Sequence, residues 1–268
     1  MNKAKAKPRK NNFGNVWIVL TFIFLYIPIF IVVLFSFNTS RVNIVFEGFT
    51  IKWYGSFFQN TILMDSLKNT LIIAVASTVI STIVGTLGAI GMERYNFPGK
   101  KLVDALLYVP IVIPEIVLGV AMLAIFSLTH IPMGLFSITL GHITFCVPFV
   151  VISVRAGFAG YDKALEEASM DLGSNRIKTF LNITLPLLKP GIISGAILAL
   201  SLSLDDVIIS FFVSGPGSTT LPLAILDMQR HGISPDVNAL STIITFLTIL
   251  VIGINTHSQI RAMKNKAA

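Results

Sequence analysis

The sequence predicts an all-α integral membrane protein with six transmembrane helices and both termini in the cytoplasm. Its composition is 54% hydrophobic and only 12% charged, whereas soluble domains carry about 25% charged residues. Six apolar stretches are long enough to cross roughly 30 Å of hydrocarbon as helices. Lysine and arginine concentrate in alternate loops between these stretches, a bias that marks the cytoplasmic side.

The predicted spans contain few charges. The first, second, fourth and sixth contain no Asp, Glu, Lys or Arg, the third contains Glu115, and the fifth contains Asp205 and Asp206. The third and fourth follow each other so closely that they predict a helical hairpin. The six spans cover residues 16–37, 69–92, 105–128, 134–154, 190–213 and 237–260.

The positive charges set the predicted orientation. Of the 20 lysines and arginines, only Arg41, Lys52, Lys68 and Arg230 fall in the outer loops. The segments 1–15 and 261–268 are therefore predicted to be cytoplasmic. The net charge of +7 is a property of this topology, so it does not predict a nucleic-acid partner.

The amino-terminal apolar run is longer than the usual 7–15 residues of a signal peptide, and no small-residue cleavage site follows Phe37. We expect an uncleaved anchor in a multi-pass membrane protein. The lipid bilayer is its predicted surroundings.

The sequence lacks the short motifs of membrane enzymes and pumps. It contains neither a G-x-x-x-x-G-K-[ST] phosphate loop nor an H-E-x-x-H zinc pair. Its four histidines are scattered, and Cys146 is expected to be a small buried side chain. We therefore predict no catalytic residue, metal or cofactor on this chain, and any energy for transport must come from another chain.

The longest predicted cytoplasmic loop, 155–189, is expected to form two short helices. Asp162 can cap the first, Gly173 can end it in a left-handed conformation, and the second begins near Asn175. We expect Pro186 and Pro190 to interrupt the chain before the fifth span.

The first loop helix has a small apolar stripe. Leu165, Ala168 or Ser169, and Leu172 share one face at helical spacing. Physical chemistry alone allows two interpretations of this stripe: a site for a partner protein, or a helix resting on the membrane surface.

A sequence signature lies in the same loop. From Glu167 the chain has the sequence E-A-S-M-D-L-G and, after nine further residues, I-T-L-P. It resembles the E-A-A, three residues, G, nine residues, I-x-L-P signature of ABC importer permeases, with Ser169 in place of an alanine. This resemblance implies the type I ABC importer permease fold. It also implies that residues 166–173 form the coupling helix, which inserts into a groove of an ATPase subunit. The candidate coupling residues are Glu166, Glu167, Ala168, Ser169, Asp171, Gly173, Ile183, Leu185 and Pro186.

Further stretches resemble a narrower family, the PotC-type permeases of spermidine/putrescine importers. These stretches are F-N-T-S-R, G-F-T-I-K-W-Y, H-I-T-F-C-V-P-F-V-V, S-L-D-D-V-I-I-S-F-F-V-S-G-P and S-P-D-V-N-A-L-S-T. The resemblance implies a second, PotB-type permease, two ATPase subunits that hold ATP and Mg, and an extracytoplasmic polyamine-binding protein. It also implies that the protein lies in the bacterial inner (plasma) membrane.

The carboxylates inside predicted spans are candidates for the cargo pathway, because a charge in hydrocarbon is costly unless it meets water, a partner or cargo. Glu115 and Asp205 lie at different predicted depths, which suits an elongated cation with spaced ammonium groups. Asp205 and Asp206 point about 100° apart on a regular helix, so they cannot share one path. A hydrated or helix-locking pair is the alternative.

Aromatic residues near the outer side could contact ammonium groups by cation–π attraction. Trp53, Tyr54 and Phe211 are the candidates. Tyrosine and tryptophan also anchor spans at membrane interfaces, and that explanation is favoured. Gly85, Gly88 and Gly91 predict close helix packing in the second span.

The sequence is also compatible with two other functions. One is an ABC permease for a different small solute, such as an amino acid or iron, whose site would not require acids. The other is a secondary transporter or channel driven by ions through Glu115 and Asp205, which leaves the loop signature unexplained.

Overall fold

The computed structural model describes residues 12–41, 44–231, 235–246 and 248–250. Its regular structure is helical, and the described part contains one isolated β-bridge, between Asn38 and Phe49. The prediction of an all-α protein is confirmed. The helices are α1 (Asn12–Phe35), α2 (Lys52–Gln59), α3 (Thr61–Arg94), α4 (Lys100–Val112), α5 (Glu115–Leu128), α6 (Leu135–Gly157), α7 (Ala164–Asp171), α8 (Arg176–Thr179), α9 (Leu185–Asp205), α10 (Ile208–Val213) and α11 (Leu221–His231).

Four helical stretches of the described residues are long and apolar enough to cross a membrane. They are Phe13–Phe35, Thr61–Arg94, Leu135–Gly160 and Arg176–Asp205. Residues 235–246 and 248–250, within and just before the predicted sixth span, are also helical. The rest of that span, residues 1–11 and the tail 261–268 lie outside the described residues. The count of six spans and the cytoplasmic termini therefore stay predictions.

The chain divides into two compact units, Met1–Asn60 with Met228–Ala268, and Thr61–Asp227. In the first unit, the most apolar stretch of α1 has no buried residue. A helix that is apolar all round and unburied within its own unit requires an apolar environment around it.

The segment after α1 is fastened to α2 by aromatic side chains. The Trp53 indole donates to the Asn38 carbonyl oxygen at 2.6 Å, and the Tyr54 hydroxyl shares a 2.8 Å hydrogen bond with Ser36. The Phe37 ring packs against Tyr54 with centroids 5.4 Å apart. Both candidate aromatics of this segment thus have packing roles within the first unit.

The core of the second unit lies among α3, α6 and α9, which approach closely where glycines face them. A Cβ added to Gly85 would lie 2.7 Å from the Val150 Cβ, and one added to Gly191 would lie 2.9 Å from the Ser153 carbonyl oxygen. The buried apolar side chains around these contacts include Ile73, Ala89, Ile138, Cys146, Val154, Leu188 and Ala199.

The segment predicted as the third span, 105–128, is not one straight helix. It is divided between α4 and α5, which are bent by 111° relative to each other. Ile113 is extended (φ −73°, ψ 135°) and Pro114 follows it. A proline disfavours the helical conformation of the residue before it and withholds its own N–H. The break is therefore encoded at Pro114.

Pro186 and Pro190 do not interrupt the chain before the fifth span, contrary to the sequence prediction. The helical run passes from α8 through a π-helical turn, Phe180–Thr184, into α9. The Leu185 N–H donates to the Phe180 carbonyl five residues back, so the hydrogen-bond register has shifted before Pro186 is reached. Pro186 occupies the first turn of α9, where a missing N–H costs least.

The predicted fifth span, 190–213, ends early as a helix. α9 stops at Asp205, Asp206 is extended (φ −63°, ψ 127°), and α10 begins at Ile208. The Asp206 carboxylate accepts hydrogen bonds from the Ile209 and Ser210 N–H groups at 3.2 and 2.9 Å. Aspartate satisfies the first N–H groups of a helix best when its own backbone is not helical, which accounts for the break.

The glycine contacts give a matched test of packing. Gly85→Ala should lower the melting temperature of the detergent-solubilised protein, because the new methyl group displaces Val150 and overpacking costs about 1–3 kcal/mol. Gly91→Ala, in the same helix with open space around its Cβ position, should leave the melting temperature equal or slightly higher. Equal melting temperatures for the two variants would contradict close α3–α6 packing at Gly85.

Candidate functional site

The loop between α6 and α9 forms the two predicted short helices. The Ala164 N–H donates to the Asp162 carboxylate at 2.9 Å at the start of α7, and Gly173 ends the helix with a left-handed φ of 88°. The Ser174 N–H reaches back to the Ser169 carbonyl at 3.1 Å, a glycine-dependent C-cap. Local sequence signals therefore specify both ends of α7.

One face of α7 is apolar and exposed. Leu165 and Leu172 are 49% and 89% exposed, and Ala168 between them is exposed too. Ser169, the alternative member of the predicted stripe, is half-buried and shares a 3.2 Å hydrogen bond with Thr179. The stripe therefore consists of Leu165, Ala168 and Leu172, and we call it the α7 stripe.

The two glutamates at the start of α7 have different surroundings. The Glu166 side chain is 16% exposed and pairs with Arg94, near the end of α3. Tyr161 and Thr184 also donate to its carboxylate, and Arg94 donates to Thr184 at 2.9 Å. Glu167, by contrast, is exposed. Glu166 is therefore an internal link between α7, α3 and the π-helical turn before α9.

The other predicted coupling residues are spread over the same loop. Asp171 and Gly173 are exposed, at and just beyond the end of α7. Ile183 lies in the π-helical turn, and Leu185 and Pro186 begin α9. The signature thus covers both α7 and the helical segment that α7 contacts through Glu166.

A second ion-pair cluster ties the same end of the unit together. Arg155, at the end of α6, donates to Glu93 at 2.8 Å and to Asp104 at 2.5 Å. It joins α6 to α3 and α4. A cleft of about 370 Å³ lies beside it, lined by Glu93, Arg94, Tyr95, Phe158, Tyr161, Lys163 and Glu166. Sequence reasoning missed these pairs because their partners are 51 to 72 residues apart.

The three carboxylates predicted for the pathway lie at the two helix breaks. Glu115 is half-buried at the start of α5, Asp205 is exposed at the end of α9, and Asp206 is buried. Within the described residues, no group of three His, Cys, Asp or Glu side chains is arranged to hold a metal ion.

Asp206 is satisfied inside the protein. Its carboxylate accepts from the Ser210 hydroxyl at 2.8 Å and lies 3.1 Å from the Nε2 atom of His142. With its backbone partners, this accounts for both carboxylate oxygens. Of the two adjacent aspartates, only Asp205 is left exposed.

The two adjacent phenylalanines of α10, Phe211 and Phe212, also differ in exposure. Phe212 packs onto Gly119 of α5, where an added Cβ would lie 2.6 Å from its ring. Phe211, the predicted candidate, is 51% exposed and meets Phe212 edge to face at 5.3 Å. Phe211 is thus available for a contact outside this chain.

The second unit thus combines long apolar helices with an exposed apolar stripe on one loop. Residues 81–263 match the family described as binding-protein-dependent transport system inner membrane component. The match covers more than half of the chain, including α7 and all three acids. The chain belongs to this family of inner membrane transport components.

Two relatives show a more specific similarity within this family. The chain is 41% identical to the spermidine/putrescine transport system permease protein PotC of Escherichia coli (strain K12) over 229 residues, 85% of this chain and 87% of PotC. It is 36% identical over 258 residues to the putrescine transport system permease protein PotI of the same strain, covering 94% of this chain and 92% of PotI.

A solved structure supports the fold. A bacterial ABC transporter that imports the acidic polysaccharide alginate superposes on 96% of this chain and 99% of its own, with a TM-score of 0.69 and 19% identity. The ABC importer permease fold expected from the loop signature is confirmed.

The Glu166 link can be tested by a double-mutant cycle. Arg94→Met and Glu166→Gln should each destabilise the protein by about 1–3 kcal/mol, because each leaves a partly buried partner without its charge-assisted bond. The double variant should lose clearly less than the sum. Thermal unfolding in detergent measures the effect, with Lys178→Met on exposed α8 as the control. Additive losses would show that the two residues act separately.

Proposed function

We propose that this chain is a permease subunit of an ATP-driven importer that takes up polyamines, spermidine or putrescine, by alternating access. The observation that carries the proposal is the placement of Glu115 and Asp205 at two helix breaks within the membrane-spanning unit. The names of PotC and PotI, which are permeases for spermidine/putrescine and putrescine, support the same cargo.

The helix breaks suit a cation for two reasons. α4 ends at Val112 and α9 ends at Asp205, and helix carboxyl ends carry partial negative charge from unpaired carbonyl groups. The Asp205 carboxylate adds a full negative charge at the carboxyl end of α9, and Glu115 adds one at the first residue of α5, just after the break. Two negative centres at separate breaks match the spaced ammonium groups of a polyamine.

The α7 stripe provides the attachment for an energy source. A buried leucine contributes about 1.5–3 kcal/mol relative to an exposed one, so Leu165 and Leu172 favour a partner that covers them. Together with the loop signature, this supports α7 as the coupling helix that docks on an ATPase subunit. ATP and Mg are held by that partner, and this chain performs no bond chemistry.

The Arg94–Glu166 link offers a route from the ATPase to the spans. When α7 moves with its docking partner, the partly buried Glu166 carboxylate carries the displacement to α3 through Arg94 and toward α9 through Thr184. The full assembly in this proposal comprises two ATPase subunits, a second related permease and an extracytoplasmic polyamine-binding protein.

Docking can be tested by co-purification. Leu172→Gln combined with Leu165→Gln should abolish recovery of the ATPase with this chain from solubilised membranes, because two buried leucines are lost from the contact. Met170→Gln, on the opposite face of α7, should leave recovery unchanged. Retention of the ATPase by the double variant would rule out the α7 stripe as the contact. A native complex without any ATPase would overturn the whole proposal.

Cargo can be tested by uptake of labelled spermidine and putrescine into proteoliposomes that contain the complete assembly. Asp205→Asn and Glu115→Gln should each raise the KM about tenfold or more, which corresponds to about 1.4 kcal/mol for each lost charge contact. Asp65→Asn, an exposed acid near the start of α3, is the control. Wild-type KM values in both variants would refute a cation site at the breaks, and uptake of neither polyamine would refute the cargo.

A further inference from the structure

His142 lies at the centre of a buried polar network. The side chain is 1% exposed in the middle of α6. Its Nδ1 atom is 2.7 Å from the Ser203 hydroxyl, and its Nε2 atom is 3.1 Å from Asp206 and 3.3 Å from Ser210. Ser203 in turn shares a 3.0 Å hydrogen bond with Ser77 of α3. The network joins α3, α6, α9 and α10.

The imidazole ring spans the break between α9 and α10. Ser203 lies in the last turn of α9, and Asp206 is the first residue after that helix. The two ring nitrogens therefore contact both sides of the break from a fixed position on α6. An ionised carboxylate only accepts hydrogen bonds, so Nε2 is the donor to Asp206.

The contact between His142 and Asp206 determines which of the two adjacent aspartates faces outward. Because neighbouring residues at the end of a helix point about 100° apart, the inward position of Asp206 turns the Asp205 side chain away from the core. Asp205 is exposed and Asp206 is only 7% exposed. Without His142, the Asp206 carboxylate would lose a buried partner and would be driven toward water.

We propose that His142 is a positioning residue for cargo recognition: it anchors Asp206 inside the bundle, fixes the α9–α10 break, and thereby presents Asp205 to the cation. The ring itself does not touch cargo. The inference rests on the proposed function through the role of Asp205, but the position of residue 205 can be measured without any cargo.

The first experiment measures that position. Asp205→Cys is introduced with Cys146→Ala, which removes the single native cysteine, and the purified assembly is treated with a small cationic thiosulfonate. Adding His142→Leu should slow modification of residue 205 at least fivefold, because residue 205 turns inward as Asp206 turns out. Thr144→Leu, exposed on the same helix, should leave the rate unchanged.

A second variant distinguishes loss of the Asp206 contact from loss of folding. His142→Asn can still bond Ser203 but is too short to reach Asp206, so it should also slow the reaction while accumulating normally in the membrane. An unchanged modification rate in a folded His142 variant overturns the proposal, whatever the cargo is.

The second experiment measures uptake. His142→Leu should raise the KM for spermidine about tenfold with little change in the maximal rate, and His142→Asn should have a similar effect. In an Asp205→Asn background, His142→Leu should raise the KM no further, because its effect passes through Asp205. A further rise there contradicts the positioning role. If labelling responds as expected but no assembly takes up polyamines, the positioning of residue 205 stands and the proposed cargo is wrong.

Discussion

Every buried backbone N–H and carbonyl group needs a hydrogen-bond partner, and this requirement determines where the helices of this membrane protein can be interrupted. The second unit breaks its helices twice, before Glu115 and after Asp205, and each break must be compensated locally. At the second break, the Asp206 carboxylate binds the first N–H groups of α10 and is itself bound by His142. A single buried aspartate thus permits an irregular backbone where regular helix is otherwise the rule.

Close packing of the three central helices makes that arrangement possible. Glycines at positions 85, 191 and 195 let α3, α6 and α9 approach until backbone and side-chain atoms touch, and short serine side chains then bridge the remaining distance. Ser77, His142 and Ser203 can form one chain of hydrogen bonds only because their helices lie this close. Dispersion contacts and polar contacts therefore depend on each other in the same layer.

The sequence predicts local features well and distant ones poorly. Asp162 and Gly173 specify the ends of α7 through neighbouring backbone groups, and hydropathy identifies the apolar stretches. The break at Pro114 has a local cause that a count of apolar residues overlooks. The continuous helix through Pro186 depends on a π-helical turn, and no residue type in the sequence predicts that turn. The partners of Glu166 and Asp206 lie up to 72 residues away in the chain, so only the fold reveals which acid of each pair is occupied.

Adjacent acids with different neighbours will also differ in how they vary as the protein evolves. A change at Glu166 must be accommodated by Arg94, Tyr161 or Thr184 within the same gene, and a change at Asp206 by His142. Glu167 and Asp205 have exposed side chains, so what limits their variation lies outside this chain, in a docking partner or a transported solute. Paired substitutions within one gene are therefore expected at Glu166 and Asp206. At Glu167 and Asp205, substitutions are expected to follow changes in other genes or a change of cargo.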